Sequence, residues 1–345
     1  FEAVRTAAEE ERRLTSEAMQ EIYEQGTQEA DSMFRQAADR FAGIVHGYDS
    51  VVGFGRHLLN KDNKTQIAVE AAKLLNTEIV SFDSRQIFRE MSIGTAVPDT
   101  QQMNAVKHHF IHSHSIAEDM SASRYADEAT NTINQLLEKN ETVVFTGGTG
   151  MYMHAVLYGL DPTPNTDYQL RASLEKECAE KGLEYLIHQL KTLDEKSYHK
   201  IDIHNPRRVI RALEIIYSSG KTHSSFFEDK NKTSAFNFTL YVLNPDRQLL
   251  YDNINQRVDT MIEKGLIDEA KQLLPYRHLT ALHTVGYKEL FEYFDRNSTL
   301  DQAIEKIKQH TRNYAKRQLT WFRQYDNAIW LAPEEMKKKI EEKNL

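Results

Sequence analysis

Predicted strands and helices alternate along the first half of this chain. Segments 66–75 and 124–138 are predicted as helices, whereas the short runs 78–82 and 142–145 are rich in β-branched and aromatic residues, as strands are. Helices that connect successive strands predict a parallel sheet covered by helices, and therefore an α/β fold. Ligands of such sheets bind at the loops that follow the strands. The residues directly after these two strands are the first candidates for a functional site.

The chain divides into three predicted parts. Residues 48–160 and 206–330 form the α/β core with its C-terminal helices, including a further strand at 236–243. Residues 161–205 lack strand signals and are rich in Leu, Glu and Lys, which predicts a helical insertion. Residues 1–47 form an extra N-terminal helical segment. It either packs on its own domain or binds a partner, and its Ala-rich stripe, short of four heptads, favours packing.

The composition favours a cytoplasmic protein without a membrane span. It is 40% hydrophobic and 27% charged, and no apolar run reaches the roughly 18 residues that a span requires. The single cysteine, Cys178, excludes a cysteine-based zinc site and fits a reducing compartment. The net charge of −8 is uneven, since residues 1–40 hold ten acidic residues against five arginines. The remainder is close to neutral, which leaves basic clusters for an RNA partner.

Two short motifs carry the residue types of phosphate and acid–base chemistry. Lys64-Thr65 is predicted to stand just ahead of a helix, where free N–H groups, an ammonium group and a hydroxyl can hold a phosphate and its Mg²⁺. Asp83 follows nineteen residues after Lys64, and its carboxylate can accept a proton from an amine. Lys-Thr pairs are also common on surfaces, and an aspartate after a strand also serves as a turn or helix cap. The residues alone leave both alternatives open.

A series of longer motifs resembles the tRNA dimethylallyltransferases of the bacterial branch. The resemblance covers about residues 64–325. Its blocks are 83–89 (DSRQIFR), 93–98 (IGTAVP), 108–110 (HHF), 147–152 (GGTGMY), 205–214 (NPRRVIRALE), 284–290 (TVGYKEL) and 315–323 (AKRQLTWFR). One such block could arise by chance, whereas the whole series in the family's order could not plausibly do so.

The resemblance implies a P-loop NTPase-like core that transfers a dimethylallyl group from dimethylallyl diphosphate to N6 of adenosine 37 in the tRNA anticodon loop. Asp83 would be the general base for the flipped adenine. Asn63, Lys64, Thr65 and Arg211 would hold the diphosphate, and Thr65 would also ligate Mg²⁺. Lys64 and Arg211 would balance the charge that grows on the leaving group.

The same matching assigns a group of residues to tRNA contact. They are Asp83, Ser84, Arg85, Gln86, Thr149, Arg171, Arg207, Arg208, Val209, Ile210, Arg211, His283, Thr284, Val285, Gly286, Tyr287 and Lys288. Arginines suit phosphates and stacked bases, and glutamine suits a base edge. Alternatively, Arg207, Arg208 and Arg211 belong to a salt-bridged helix surface, on which Arg207 and Arg211 share one face because four residues separate them. Trp321 is expected in the core, and the neighbouring Lys316 and Arg317 on an RNA-binding or simply solvated face.

Four histidines at 108, 109, 112 and 114 raise the question of a metal site. His108 and His112 are one helical turn apart, but neither a carboxylate pattern nor a clear helix accompanies them. A metal site is therefore disfavoured, and the resemblance assigns the His108-His109 pair to the family fold.

The phosphate loop departs from the family pattern Gly-x-x-x-x-Gly-Lys-Thr. Residues 58–65 read LLNKDNKT, so Leu58 and Asn63 replace the glycines and Asp62 adds a negative charge. A leucine does not easily adopt a left-handed backbone. Four functions therefore compete: prenyl transfer to tRNA, prenyl transfer to free adenine nucleotides, tRNA binding without catalysis and, supported only by Lys64-Thr65, a small-molecule P-loop kinase. We expect the first, carried out by a monomer.

Overall fold

The computed structural model describes residues 61–227 and 234–342, with side chains from Thr65 onward. The predicted N-terminal helix at 1–47 and the phosphate-loop residues 58–60 lie outside the described residues. Asn63 and Lys64 belong to the first described helix, but their side chains also lie outside that part.

The described elements alternate early and become mostly helical later. The strands are β1 (Ile79–Phe82), β2 (His108–His109), β3 (Val144–Gly147), β4 (Tyr241–Leu243) and β5 (Ile329–Leu331). The helices are α1 (Lys61–Leu74), α2 (Thr100–Ala105), α3 (Ala122–Leu137), α4 (Gly150–Tyr158), α5 (Tyr168–Lys181), α6 (Leu183–Leu193), α7 (Glu195–Lys200), α8 (Pro206–Ser219), α9 (Arg247–Glu263), α10 (Leu266–Leu273), α11 (Tyr287–Phe294), α12 (Leu300–Phe322) and α13 (Pro333–Glu341). Short 3₁₀ turns occupy His223–Phe227, Leu274–Tyr276 and Thr280–Leu282. No described helix combines the length and apolar character needed to cross a membrane.

β1 is the centre of a three-stranded parallel sheet with the order β2–β1–β3. Ile79 pairs with His108 on one side and with Val144 on the other. Every residue of β1 and β3 is buried, as is typical of a parallel sheet covered by helices. The predicted α/β fold with a parallel sheet is confirmed.

β4 and β5 pair in parallel apart from this sheet. The strand predicted at 236–243 is confirmed only for its last three residues, which form β4. Its partner β5 lies almost ninety residues further along the chain, and the sequence did not indicate it.

α3 shows why these segments become helices. Ser121 caps its first turn by accepting a backbone N–H three residues later. The buried residues Tyr125, Ala129 and Ile133 recur every fourth position and face the core. The hydroxyl of Tyr125 donates to the carbonyl oxygen of Ser81 at 2.8 Å, which ties the helix to β1.

α1 begins earlier than predicted. It starts at Lys61, so Thr65 is its fifth residue and Lys64 no longer precedes the helix. Residues 61–65 contain neither glycine nor proline, so nothing in them opens a loop and they continue the helix. Because only the first turn of a helix has free N–H groups, the backbone N–H of Thr65 lies beyond them.

The structure divides into two compact units, of which the smaller runs from Tyr158 to Ser234. It is helical, as predicted for the insertion 161–205, but it extends beyond residue 205. The reason is the apolar face of α8, since Val209 and Leu213 share one buried cluster with Leu186 of α6. The larger unit contains the sheet and the C-terminal helices.

A buried polar network in the smaller unit joins the turn at His223 to α7. Asp194 accepts the Ser197 hydroxyl at 2.7 Å and the Ser224 backbone N–H at 2.7 Å. The Ser197 hydroxyl oxygen also lies 2.7 Å from Nδ1 of His223. Burial is the main cause that lowers the pKa of His223.

We expect acid to destabilise the smaller unit through His223. Because the folded pKa lies below the ordinary histidine value of about 6.5, the unfolded chain binds the proton first. The contribution of His223 to the free energy of unfolding is therefore fully present above about pH 6.5. It is lost as the pH falls below that value toward the folded pKa. Urea unfolding midpoints at several pH values should show a smaller acid loss in His223→Gln than in the wild type. Equal pH slopes in both proteins would contradict this expectation.

Candidate active site at the edge of the parallel sheet

The loops after β1 and β3 meet at one edge of the sheet. Phe82 and Gly147 pair at the ends of the two strands. The Thr149 backbone N–H donates to the carbonyl oxygen of Phe82 at 3.1 Å. The Ser84 N–H donates to the Thr149 hydroxyl at 2.9 Å, and that hydroxyl donates to the Ser84 hydroxyl at 3.0 Å. The structure therefore brings the predicted site residues Ser84 and Thr149 together.

Asp83 begins the first of these loops and is held in one orientation. Its side chain is buried, with the residue only 5% exposed. Oδ1 accepts the backbone N–H of Arg85 at 2.9 Å and that of Gln86 at 3.2 Å. The carboxylate predicted as general base is thus positioned by the turn that it starts.

Two stacked tyrosines lie close enough to this carboxylate to feel its charge. The rings of Tyr125 and Tyr152 are 4.1 Å apart and inclined by 14°. Burial raises the pKa of both phenols, to about 12 for Tyr152, and the charge of Asp83 adds to the increase. Both phenols therefore stay neutral at neutral pH and do not act as bases there.

The side chains of Arg85 and Gln86 tie the loop to neighbouring segments. Arg85 Nη1 donates to the carbonyl oxygen of Ala281 at 2.8 Å. Gln86 Nε2 donates to the carbonyl oxygens of Thr95 at 3.2 Å and Ala96 at 2.9 Å. The resemblance of the motifs implies RNA contact for both side chains, and that contact stays a prediction. In the structure, they hold the loop in place.

α12 contributes two side chains that the sequence did not assign to the site. Gln318 Nε2 donates to the carbonyl oxygen of Gly148 at 2.6 Å, and the half-buried Trp321 packs against Gly150. Gln318 Oε1 and Trp321 Nε1 are buried without a hydrogen-bond partner among the described residues. Such atoms usually bind water or a ligand, so both are candidates for substrate contact. In the sequence, only their spacing of three residues, which places them on one helix face, could have indicated a shared role.

The block that contains Gly286 and Tyr287 is split between surface and interior. Its end residues His283 and Lys288 are exposed, and the two residues after His283 are half-buried. Tyr287 is fully buried and donates its hydroxyl to Glu269 at 2.6 Å. Gly286 has a φ of 100°, which favours glycine. Tyr287 therefore belongs to the interior of the larger unit, and the tRNA contact assigned to it stays a prediction.

In the smaller unit, two predicted arginines share one buried carboxylate. Glu214 is fully buried and accepts Arg211 Nη1 at 2.6 Å, Arg171 Nη2 at 2.7 Å and the Asp167 N–H at 3.0 Å. Arg211 Nη2 also donates to the carbonyl oxygen of Pro164 at 2.7 Å. The salt-bridge alternative is therefore confirmed for Arg211, and Arg171 forms an ion pair with the same carboxylate. The side chains of Arg171 and Arg211 remain 33% and 29% exposed, respectively, so each also faces solvent.

The first turn of α8 separates exposed from buried residues. Arg207 and Arg208 are exposed, whereas Val209 and Ile210 belong to the apolar core of the smaller unit. The helix uses the side chains of Val209 and Ile210 for packing, and the tRNA contact assigned to these two residues stays a prediction.

The four clustered histidines have separate partners. Residues 108, 109, 112 and 114 lie within hydrogen-bond distance of Val106, Glu78, Ser92 and Glu128, respectively. The described residues contain no group of three or more His, Cys, Asp and Glu side chains placed to hold a metal ion.

The sequence profile of one protein family, described as IPP transferase, matches residues 86–325. This match spans more than half of the chain and includes the loop after β3. This chain belongs to the IPP transferase family.

Related proteins agree with this assignment. The chain is 44% identical over 277 residues to the tRNA dimethylallyltransferase of Christiangramia forsetii, covering 80% of this chain and 92% of that relative. It is 43% identical over 272 residues to tRNA dimethylallyltransferase 1 of Bacteroides thetaiotaomicron, covering 79% and 88%.

Solved structures of family members have the same fold. The full-length tRNA isopentenylpyrophosphate transferase from Bacillus halodurans is 36% identical, with a TM-score of 0.61 and coverage of 86% of this chain and 94% of that chain. A eukaryotic dimethylallyltransferase acting on tRNA is 23% identical, with a TM-score of 0.70 and coverage of 85% and 75%. At that identity, the second likeness concerns the fold alone.

We expect Gly150→Ala to displace Trp321. An alanine Cβ at residue 150 would lie 2.1 Å from the indole ring. Overpacking of this kind costs about 1–3 kcal/mol, measured as a lower urea midpoint. The same substitution in a Trp321→Leu background should cost less, because the clashing ring is absent. An equal loss in both backgrounds would show that the ring is not the cause.

We expect Glu214→Ala to destabilise the smaller unit by about 3 kcal/mol. The substitution leaves Arg171 and Arg211 without their shared carboxylate. Breaking a buried ion pair costs about 3–5 kcal/mol. We expect the lower end of that range because both arginines keep contact with water. Urea unfolding measures the change. Glu292→Ala, which breaks the exposed pair with Lys306 in the larger unit, serves as control and should change the midpoint far less.

Proposed function

We propose that this protein transfers the dimethylallyl group of dimethylallyl diphosphate to N6 of adenosine 37 in tRNA. The observation that carries the proposal is the buried carboxylate of Asp83, held in one orientation at the sheet edge beside the Thr149 loop. A base that must meet an amine in one geometry benefits from such positioning. Relatives that share more than 40% of their residues with this chain are named tRNA dimethylallyltransferases.

The proposed reaction is one displacement. Asp83 accepts a proton from the N6 amine while that nitrogen forms a bond to C1 of the dimethylallyl group. The bond from C1 to the diphosphate oxygen breaks, and its electron pair leaves with the diphosphate. Asp83 then passes its proton to water. The leaving group gains negative charge, which Lys64 and Arg211 would balance.

Arg211 suits this role because its guanidinium is already oriented. Three of its five N–H groups bond to Glu214, Thr163 and Pro164. Two N–H groups therefore remain for phosphate oxygens among the described contacts. The buried carboxylate fixes the side chain before any substrate arrives, which lowers the ordering cost of binding.

Mg²⁺ is the cofactor that we propose. Thr65 is half-buried, and its hydroxyl is a hard oxygen ligand. Mg²⁺ usually takes few protein oxygens and completes its shell with phosphate oxygens and water. When bound, the ion would offset the charge of the diphosphate. Asn63 and Lys64 would complete the P-loop-like diphosphate site at the start of α1.

The tRNA substrate would present a flipped base, at a cost of a few kcal/mol. Exposed side chains at His283, Lys288, Arg207 and Arg208 are suited to the phosphates of the anticodon loop. Gln318 and Trp321 supply unpaired polar atoms near the sheet edge. A cytoplasmic, monomeric enzyme fits an RNA substrate and a chain with one cysteine.

The test is the transfer of labelled dimethylallyl diphosphate to unmodified tRNA with Mg²⁺. We expect Asp83→Asn to lower kcat by about 10²–10⁴-fold, because it removes the proton acceptor. Asp295→Asn removes the same charge from an exposed pair with Arg277 and should leave kcat unchanged. Full activity of Asp83→Asn would contradict the proposed role of that carboxylate.

The same assay separates the alternative functions. Label on free adenine nucleotides but not on tRNA would identify a nucleotide prenyltransferase. Binding of tRNA without label transfer, followed by activity when glycines replace Leu58 and Asn63, would identify a tRNA-binding protein that its altered phosphate loop has disabled.

A further inference from the structure

One carboxylate in the larger unit gathers four hydrogen-bond donors. Glu269 Oε2 accepts the backbone N–H of Ser92 at 3.0 Å and of Ile93 at 2.7 Å. Its Oε1 accepts the N–H of Gly94 at 2.9 Å and the hydroxyl of Tyr287 at 2.6 Å. Three consecutive backbone N–H groups therefore converge on one negative charge, and charge-assisted bonds of this kind are about twice as strong as neutral ones.

The same loop carries the acceptors of the Asp83 turn on its other side. The carbonyl oxygens of Thr95 and Ala96 accept the side-chain amide of Gln86 at 3.2 and 2.9 Å. The backbone N–H of Gln86 donates in turn to Asp83 Oδ1 at 3.2 Å. A continuous series of hydrogen bonds thus leads from Glu269, through the loop Ser92–Ala96, to the carboxylate of Asp83.

Close packing adds to this connection. A Cβ on Gly94 would come within 2.7 Å of the Tyr287 ring, so the absence of a side chain lets the ring lie directly on the loop. Tyr287 is fully buried, and its hydroxyl reaches the same carboxylate as the loop. The blocks around Gly94 and Tyr287, nearly two hundred residues apart, therefore meet at Glu269.

We propose that Glu269 is a positioning residue for prenyl transfer. It touches no substrate; its carboxylate fixes the loop Ser92–Ala96, which holds Gln86 and thereby the orientation of the Asp83 carboxylate. The inference rests on the proposed function, because it concerns the geometry of the proposed general base.

Glu269→Gln in the full chain tests the inference. The amide oxygen replaces only one of the two carboxylate oxygens, so in either orientation the amide NH₂ faces at least one backbone N–H that loses its acceptor. We expect kcat to fall by about 10- to 100-fold, since displacement of a reacting group by roughly 1 Å can cost 10²-fold. The KM values for both substrates should change far less. Hydrogen exchange should accelerate at residues 86 and 92–94 but not in α3.

Two further variants sharpen the result. Glu292→Gln removes the same charge from an exposed pair with Lys306 at 3.0 Å and should leave kcat and exchange as in the wild type. Tyr287→Phe removes only one of the four donors to Glu269, so its loss of kcat should be smaller than that of Glu269→Gln.

Each contrary outcome has a distinct meaning. Wild-type transfer with an unchanged kcat in Glu269→Gln would overturn the inference and leave the proposed function intact. Faster exchange throughout α3 would show that Glu269 stabilises the whole unit, which would also overturn a positioning role. Absence of transfer by the wild type would overturn the proposed function, and the inference with it.

Discussion

The parallel pairing of β1 with β3 is the interaction on which the candidate site depends. Parallel strands end at the same edge of a sheet, so Phe82 and Gly147 bring the chain out of the sheet side by side. Gly147 permits this contact, because a Cβ there would lie 2.6 Å from the Phe82 backbone. The hydrogen bonds between Ser84 and Thr149 then join the two loops. The Asp83 carboxylate takes its position from that junction.

Two carboxylates, one in each unit, organise the polar groups on which the proposed chemistry relies. Glu269 binds the loop that supports Gln86, and Glu214 orients the guanidinium of Arg211. Each accepts four hydrogen bonds from its own unit. Removing a carboxylate from water is costly, and only several donors in good geometry compensate for it. Both residues therefore serve by holding other groups in place.

The motifs located the proposed site but not the contacts of its side chains. The block that includes Arg208 and Val209 shows the difference, since neighbouring residues of one helix turn face solvent and core. Likewise, Arg85 reaches a carbonyl oxygen almost two hundred residues away. Gln318 was not assigned to the site because its only signal, a spacing of three residues from Trp321, is shared by many residue pairs of any helix. Its bond to Gly148 exists only because α12 packs beside the loop after β3.

The sequence by itself determined the α/β class, the parallel sheet, the helical insertion and the family, because period, composition and ordered motifs are local properties of the chain. It also placed Asp83 at a strand end. Only the tertiary structure decided the first residue of α1, the extent of the smaller unit and the contacts of Glu269. Those features depend on which distant segments pack together and which buried donors need an acceptor. Contacts between distant segments leave no periodic trace in a single sequence, so they become visible only once the chain is folded.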